Sequence, residues 1–118
     1  MNKDYSLWSV RGLLFIFDIE NTRDINREEI IVSKDVNDDR ELSELFDVLL
    51  KPEFFDYGEK ERQRLIDTLV YFLDCEDTFD EVFKKMDTYF DDEVLDQRQF
   101  MRVLLDRLRV YQLEGKEA

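Results

Sequence analysis

The chain has 118 residues, of which 43% are hydrophobic and 40% are charged, and its net charge at pH 7 is −13. A chain of this length and apolar content can bury a hydrophobic core, so we expect one folded domain spanning residues 1–118 rather than a disordered segment. The excess of acidic residues disfavours direct contact with nucleic-acid phosphates or with anionic membranes, and it favours a basic partner or a cation.

Cysteine and histidine usage narrows the chemistry further. The chain has no histidine and one cysteine, Cys75, so intramolecular disulfides and the Cys/His zinc patterns are excluded. Acidic neighbours disfavour a thiolate at Cys75, which we expect to be a partly buried residue at a helix end. The apolar run 13–17 is about a quarter of the roughly 20 residues that a membrane span needs. We therefore expect an unprocessed cytoplasmic protein.

The N-terminal third allows two interpretations. Residues 5–20 can form a helix whose apolar face carries Leu7, Val10, Leu14 and Phe17, but the segment LLFIFDI can also form a buried strand. Similarly, REEIIVSKD can form a helix capped by Asp24 or a strand that pairs with residues 13–19. We favour helices, and the alternative is an α+β fold with a hairpin formed by residues 13–19 and 28–33.

Two helices are predicted in the middle of the chain. The first spans about 39–50, begins at a capping box of Asp38 and Glu41, and is expected to stop at Pro52. The second spans about 59–74 and has an apolar stripe at helical spacing. Between them, the segment from Pro52 to Gly58 carries three aromatic residues of the kind that anchor interfaces: Phe54, Phe55 and Tyr57.

Two further helices complete the predicted fold. A capping box of Thr78 and Glu81 precedes apolar residues at helical spacing, which predicts a helix over residues 78–90. Asp96 is the expected N-cap of the last helix, which should end at Gly115. Its apolar stripe consists of Phe100, Leu104, Leu108 and Tyr111. The sequence therefore predicts an all-α fold, a compact single-domain bundle of about five helices.

Acidic residues are concentrated in one segment. Residues 74–96 hold ten of them against two lysines. Asp87, Asp91 and Asp92 would lie at the C-terminal end of the helix 78–90, where the helix dipole disfavours negative charge. Internal pairing should neutralise part of this charge, but four arginines cannot balance ten acids: Arg98, Arg102, Arg107 and Arg109.

We interpret this segment as a partner-binding surface, since acids placed against helix electrostatics often serve another purpose. Tyrosine suits the edge of such a surface because its ring is apolar and its hydroxyl tolerates water. The predicted partner-binding residues are Asp87, Tyr89, Asp91, Asp92, Glu93, Asp96 and Tyr57.

Catalysis and metal binding are less favoured. The segment DVNDDRELSELF supplies oxygens at calcium-loop spacing, but Arg40 stands at the glycine position and Phe46 at that of the bidentate glutamate. A carboxylate-only metal site within 88–97 would have no defined geometry. Without histidine the commonest general base is absent, and no Ser, Cys or Lys lies in a pattern that would activate a nucleophile. We expect no catalytic residues, no cofactor and no metal.

In size, charge and pattern the whole chain resembles the immunity proteins of bacterial toxin systems, including contact-dependent growth-inhibition systems and nuclease bacteriocins. That resemblance implies an inhibitor of a cationic toxin domain, often a nuclease whose basic cleft receives RNA or DNA. Carboxylates could occupy or shield such a cleft. The alternative is a nucleic-acid mimic that inhibits a DNA-binding defence enzyme, in which the acids would form a long stripe that includes Asp35, Asp38 and Asp39.

Overall fold

The computed structural model describes residues 6–18, 25–75, 77–84, 88, 90 and 93–117. The fold is all-α, as the sequence predicts. Within the described residues no strand occurs, and the only β-type pairing is an isolated antiparallel bridge between Asp18 and Thr88. The helices are α1 (Leu7–Leu14), α2 (Ile25–Val32), α3 (Asp39–Leu45), α4 (Lys51–Phe55), α5 (Glu59–Asp74), α6 (Asp80–Lys84) and α7 (Gln97–Glu117).

The N-terminal third is helical where it is described, so the alternative hairpin of 13–19 and 28–33 does not form. Ser6 caps α1 by accepting a hydrogen bond from the Trp8 N–H at 3.2 Å. A 3-10 turn, Phe15–Phe17, follows α1 directly. Leu13, Leu14, Ile16 and Phe17 are buried, whereas Phe15 is 45% exposed. The 3-10 turn, which is tighter than an α-helix, thus buries most of the apolar residues 13–17. The spacing of these residues alone does not distinguish a helix from a strand. Asp24, the proposed cap of α2, lies outside the described residues.

Pro52 does not stop the helix that begins at Asp39, and that expectation is wrong. A π-helical turn, Phe46–Leu50, joins α3 to α4, and the Lys51 N–H donates to the Phe46 carbonyl five residues back. Pro52 then lies in the first turn of α4. Proline is tolerated at this position because the first N–H groups of a helix lack intrahelical acceptors. The wider turn thus lets the rod continue past the proline to Phe55.

Helix α7 is the central element and packs against α3, α4 and α5, while α1 packs against α5 and α6. Its predicted stripe is confirmed, because Phe100, Leu104, Leu108 and Tyr111 are all buried. The helix was predicted to end at Gly115, but it continues to Glu117. A Cβ at position 115 would lie 3.0 Å from Cε1 of Phe55, so this glycine permits close contact with α4.

The helix predicted over 78–90 does not span that range: α6 covers Asp80–Lys84, and residues 85–87 and 89 lie outside the described residues. Phe79 is fully buried with φ at 65°, a left-handed conformation that interrupts the predicted helical start. Thr88 pairs with Asp18, and Phe90 lies outside any helix. The capping box also differs, since Thr78 Oγ1 accepts from the Asp80 N–H at 3.4 Å. Burial of Phe79 and pairing with a distant residue therefore override a strong local helical pattern.

Cys75 lies at the C-cap of α5, the helix end that was predicted, but it is exposed rather than partly buried. The residue is the first beyond the helix, and its N–H donates to the Tyr71 carbonyl at 3.1 Å. Among the helices in the described ranges, none has a stretch long and apolar enough to cross a lipid bilayer.

Gln112 provides a stability prediction within this core. The residue is 6% exposed, and neither its amide nitrogen nor its amide oxygen has a hydrogen-bond partner. Because buried unpaired polar groups cost about 1 to 3 kcal/mol, Gln112→Met should raise the free energy of unfolding by about 1 to 2 kcal/mol. Urea denaturation measures this change. Gln63→Met on the exposed surface of α5 is the control and should change it by less than about 0.5 kcal/mol. Equal effects of the two substitutions would contradict the prediction.

Candidate functional site: an acidic face built by two loops

The structure describes three of the seven predicted partner-binding residues. Asp87, Tyr89, Asp91 and Asp92 lie outside the described residues. Glu93 and Asp96 lie in the segment that precedes α7, and both are exposed. Tyr57 lies between α4 and α5 and is half-buried. Thr88 and Phe90 lie outside any helix, so the helix predicted over 78–90 does not reach Phe90, and the described residues give no support to the expectation that acids follow its C-terminal end.

Asp96 begins α7, as predicted. Its Oδ1 accepts a hydrogen bond from the Gln99 N–H at 3.0 Å, and its carbonyl accepts from the Phe100 N–H at 3.0 Å. A side-chain oxygen at this position satisfies an N–H group that has no acceptor within the helix. The cap fixes the carboxylate of Asp96 at the start of α7 and leaves it exposed to solvent.

Asn37 joins the loop between α2 and α3 to the segment before α7. Its Nδ2 donates to the Glu93 carbonyl at 2.9 Å, and its Oδ1 accepts from the Leu95 N–H at 2.9 Å. A third bond runs in parallel, from Gln99 Nε2 to Asp39 Oδ2 at 2.7 Å. These bonds connect residues 56 to 60 positions apart in the sequence. They place five exposed acids on one surface, which we call the acidic face: Asp35, Asp38, Asp39, Glu93 and Asp96.

Local hydrogen bonds hold the α2–α3 side of the acidic face in a fixed conformation. Asp35 Oδ1 accepts from the Asn37 N–H at 2.9 Å, which forms a tight turn. Asp38 caps α3 by accepting from the Arg40 and Glu41 N–H groups at 2.9 and 3.4 Å. In the predicted capping box Glu41 would accept from the Asp38 N–H, but its Oε1 accepts instead from the Asp35 N–H, three residues earlier, at 2.9 Å. The carboxylates are therefore held in place before any partner binds.

The negative charge of the acidic face is not neutralised by the ion pairs that the structure describes. Those pairs join Lys34 to Glu44, Lys51 to Glu114 and Arg107 to Asp47. None of the five carboxylates takes part in these pairs or in any other salt bridge within the described part of the chain, although Lys34 directly precedes Asp35 in the sequence. In a protein with a net charge of −13, such a face should attract cations strongly.

Among the described residues, the arginines of α7 form no salt bridge with the acidic side chains of 74–96, where we expected partial pairing. Arg98 donates instead to the backbone carbonyls of Leu73 and Asp77, both at 2.8 Å, where cations suit the C-terminal end of α5. Arg102 donates to Gln99 Oε1 at 3.3 Å, and Arg107 binds Asp47 on the π turn. Arg109 is exposed.

A cavity of about 380 Å³ opens beside Glu93. Phe83, Phe90 and Val94 line it with apolar surface, and Asp80 and Glu93 contribute carboxylates. Lys84 is the one cation among its described lining residues. Gln97, at the start of α7, connects this helix to the start of α6 on the lining of the cavity. Its amide nitrogen can donate to the Thr78 carbonyl at 2.7 Å and to Asp80 Oδ1 at 2.8 Å. The acidic face is therefore adjacent to a pocket that could hold an apolar side chain.

Tyr57 is not brought together with Glu93 and Asp96. Phe55 contacts Gly115 near the C-terminal end of α7, whereas Asp96 precedes its first turn. The 21 residues of α7 span about 30 Å, so Tyr57 lies near the opposite end of this helix. Burial raises the pKa of the Tyr57 phenol, and the charge of Glu53 raises it further. Tyr57 therefore stays neutral at physiological pH.

Sequence reasoning missed Asn37 as the residue that assembles the acidic face. The only local signal was its place in a polar turn, DVNDD, which we considered as a calcium loop. Within the described ranges, no group of three or more Cys, Asp or Glu side chains is arranged to hold a metal ion.

In comparisons with known proteins, no protein-family model, no curated protein and no solved structure matches the chain.

Proposed function

We propose that this protein is an immunity-type inhibitor that binds a cationic toxin domain through the acidic face and so neutralises it. The observation that supports this function best is the attachment of the α2–α3 loop to the segment before α7 by Asn37. Five exposed carboxylates that have no salt bridge to any described residue are thereby brought together on one surface. Such an inhibitor would act in the cytoplasm and would need neither catalytic residues nor a cofactor.

A nuclease is the toxin activity that fits this surface best. Its cleft must be basic to bind phosphates, and a fixed array of carboxylates can replace those phosphates. Opposite charges increase association rates, and close charge pairs across such interfaces can be coupled by about 1.5 to 7 kcal/mol. Fixed side chains also lose little conformational entropy on binding. Hydrogen bonds fix four of the carboxylates in this way before binding: Asp35, Asp38, Asp39 and Asp96.

The alternative of a nucleic-acid mimic requires acids spread in a long stripe that includes Asp35, Asp38 and Asp39. Hydrogen bonds gather these three residues around Asn37 and Gln99, next to Glu93 and Asp96. A compact group of this kind favours a protein active site over a duplex-binding channel as the target. No observation favours a metal-dependent function.

A charge-removing variant tests the proposal without disturbing the loops. Asp38→Asn, Asp39→Asn, Glu93→Gln and Asp96→Asn remove four charges, and asparagine remains a good helix cap at positions 38 and 96. The matched control removes four charges from α5 and α7: Glu59→Gln, Glu61→Gln, Asp67→Asn and Asp106→Asn. Both variants should unfold close to the wild-type temperature, so any difference in binding reflects where the charges lie.

The partner to test is the protein encoded immediately upstream, where a toxin reading frame is expected. We expect the wild-type chain to bind its C-terminal domain and to block its nuclease activity. The acidic-face variant should associate at least about tenfold more slowly, with a flatter dependence on salt, and the control variant should stay within about threefold. Surface-plasmon-resonance kinetics at several salt concentrations measure both effects. Equal slowing by the two variants, or no binding to that domain, would reject the proposal.

A further inference from the structure

A second groove lies on the other side of α6 from the acidic face and is bounded by α1, α5 and α6. Its volume is about 310 Å³, at the small end of the range of about 300 to 1,000 Å³ that is typical of ligand pockets. Helix α6 separates the two cavities, because Glu81 and Val82 line this groove whereas Asp80 and Phe83 line the cavity beside Glu93. We call it the Trp8 groove.

Trp8 is the most unusual feature of this groove. It is the only tryptophan of the chain, and it is 70% exposed although it is the largest apolar side chain. Folding normally buries most of a tryptophan ring, and exposed tryptophans are enriched where partners bind. Leu7, Phe72 and Val82 extend the apolar surface into the groove. The groove therefore offers an aromatic wall and an apolar floor.

The charges that line the Trp8 groove indicate what it could bind. Asp77 and Glu81 contribute carboxylates, and Glu81 is exposed. Arg11 is the cation among the described lining residues, and its guanidinium lies over the Trp8 ring at 4.7 Å. This contact demonstrates that the indole accepts a guanidinium, an interaction worth about 0.5 to 1 kcal/mol at exposed sites. Arg11 covers part of the ring, but Trp8 as a residue stays 70% exposed, so a second cation can approach the part of the indole that Arg11 leaves open.

We propose that the Trp8 groove binds a basic segment of a polypeptide partner, with an arginine or lysine side chain held between the Trp8 indole and the Glu81 carboxylate and a neighbouring apolar side chain on Phe72 and Val82. An aromatic face and a carboxylate together select a cation that is carried on an apolar stem. The cavity volume suits one or two such side chains rather than a folded domain. This site is independent of the proposed function, because none of the acidic-face residues lines it.

Trp8 itself reports binding, because it is the source of all tryptophan emission from the chain. The probe is an acetylated and amidated hexapeptide of alternating arginine and leucine, and the control peptide has glutamate in place of arginine. Titration into the full chain should change the Trp8 emission saturably at submillimolar peptide, and the glutamate peptide should leave it unchanged. The four-charge variant of the acidic face should retain this response, so failure of the groove and failure of the proposed function are distinguishable.

Substitutions locate the bound peptide. Glu81→Gln should weaken binding about fivefold, and Trp8→Ala should weaken it about tenfold, as measured by fluorescence anisotropy of labelled peptide. Asp106→Asn removes the same charge from the exposed surface of α7 and should change affinity less than twofold. Equal weakening by Glu81→Gln and Asp106→Asn, or an unsaturable Trp8 signal with the arginine peptide, would overturn the proposal. Circular dichroism verifies that each variant is folded, and Glu81→Gln alone suffices if Trp8→Ala does not fold.

Discussion

Replacing Phe100 by alanine is expected to lower the free energy of unfolding by about 3 to 5 kcal/mol, the usual cost of removing a fully buried aromatic ring. Phe100 is 1% exposed and lies in contact with three other rings. The centroid of its ring is 5.2 Å from that of Phe83, 5.4 Å from Phe46 and 5.8 Å from Phe90. Such pairs add about 0.5 to 1.5 kcal/mol each beyond area burial.

Urea denaturation measures the effect, and Phe15→Ala is the matched control. Phe15 undergoes the same chemical change, but it is 45% exposed and should cost no more than about 1 kcal/mol. Phe83 and Phe90 also line the cavity beside Glu93, so loss of Phe100 should increase hydrogen exchange of the described backbone amides around it. A cost similar to that of Phe15→Ala would show that the aromatic cluster does not stabilise this end of the fold.

Removing the hydroxyl of Tyr111 is expected to lower the stability of the fold by an amount that depends on pH. Tyr111 is fully buried, and its hydroxyl donates to Asp47 Oδ1, which also accepts from Arg107 Nε at 2.9 Å. Tyr111→Phe should lower the free energy of unfolding at neutral pH by about 1 to 2 kcal/mol, because the hydrogen bond has a charged acceptor that is partly exposed.

Burial raises the pKa of the Tyr111 phenol far above its usual value near 10, and the hydrogen bond to Asp47 raises it further. Below pH 10 the phenol is protonated in both states, so its contribution to stability is fully present. Above that pH the unfolded chain loses the proton while the folded chain retains it, so wild-type stability falls by up to about 1.4 kcal/mol per pH unit from this group. The difference between wild type and Tyr111→Phe should therefore shrink as pH rises above about 10. A constant difference in denaturation experiments up to about pH 11.5 would contradict this assignment.

Two helices with strong local signals, α5 and α7, were predicted correctly over most of their length. Helix α5 spans Glu59–Asp74, as its apolar stripe and the preceding Gly58 indicate, and α7 begins directly after the predicted cap Asp96. These features depend on residues three or four positions apart, which a single sequence displays directly. The prediction that the helix stops at Pro52 was wrong because the π turn that precedes α4 removes the need for an N–H donor at this position.

The candidate site was predicted only in part. Glu93 and Asp96 were identified from the density of acids between residues 74 and 96. Their association with Asp35, Asp38 and Asp39 was considered only for the nucleic-acid mimic, and the residue responsible for it, Asn37, was not recognised as functional. Trp8 was not singled out at all, since a tryptophan next to apolar residues is ordinarily part of the core.

The sequence by itself determined the apolar stripe of α7 and the net charge of −13, because these follow from spacings within one helix and from composition, and it favoured the all-α fold while leaving the N-terminal third open. Only the tertiary structure decided that the helical pattern after Thr78 stops short, that two acidic loops share one face, and that Trp8 remains in solvent. Each of these outcomes depends on contacts between distant residues, such as Asp18 with Thr88 and Asn37 with Glu93. The free energies of these contacts depend on how the whole chain packs, and the spacing of apolar residues within one segment carries no information about that packing.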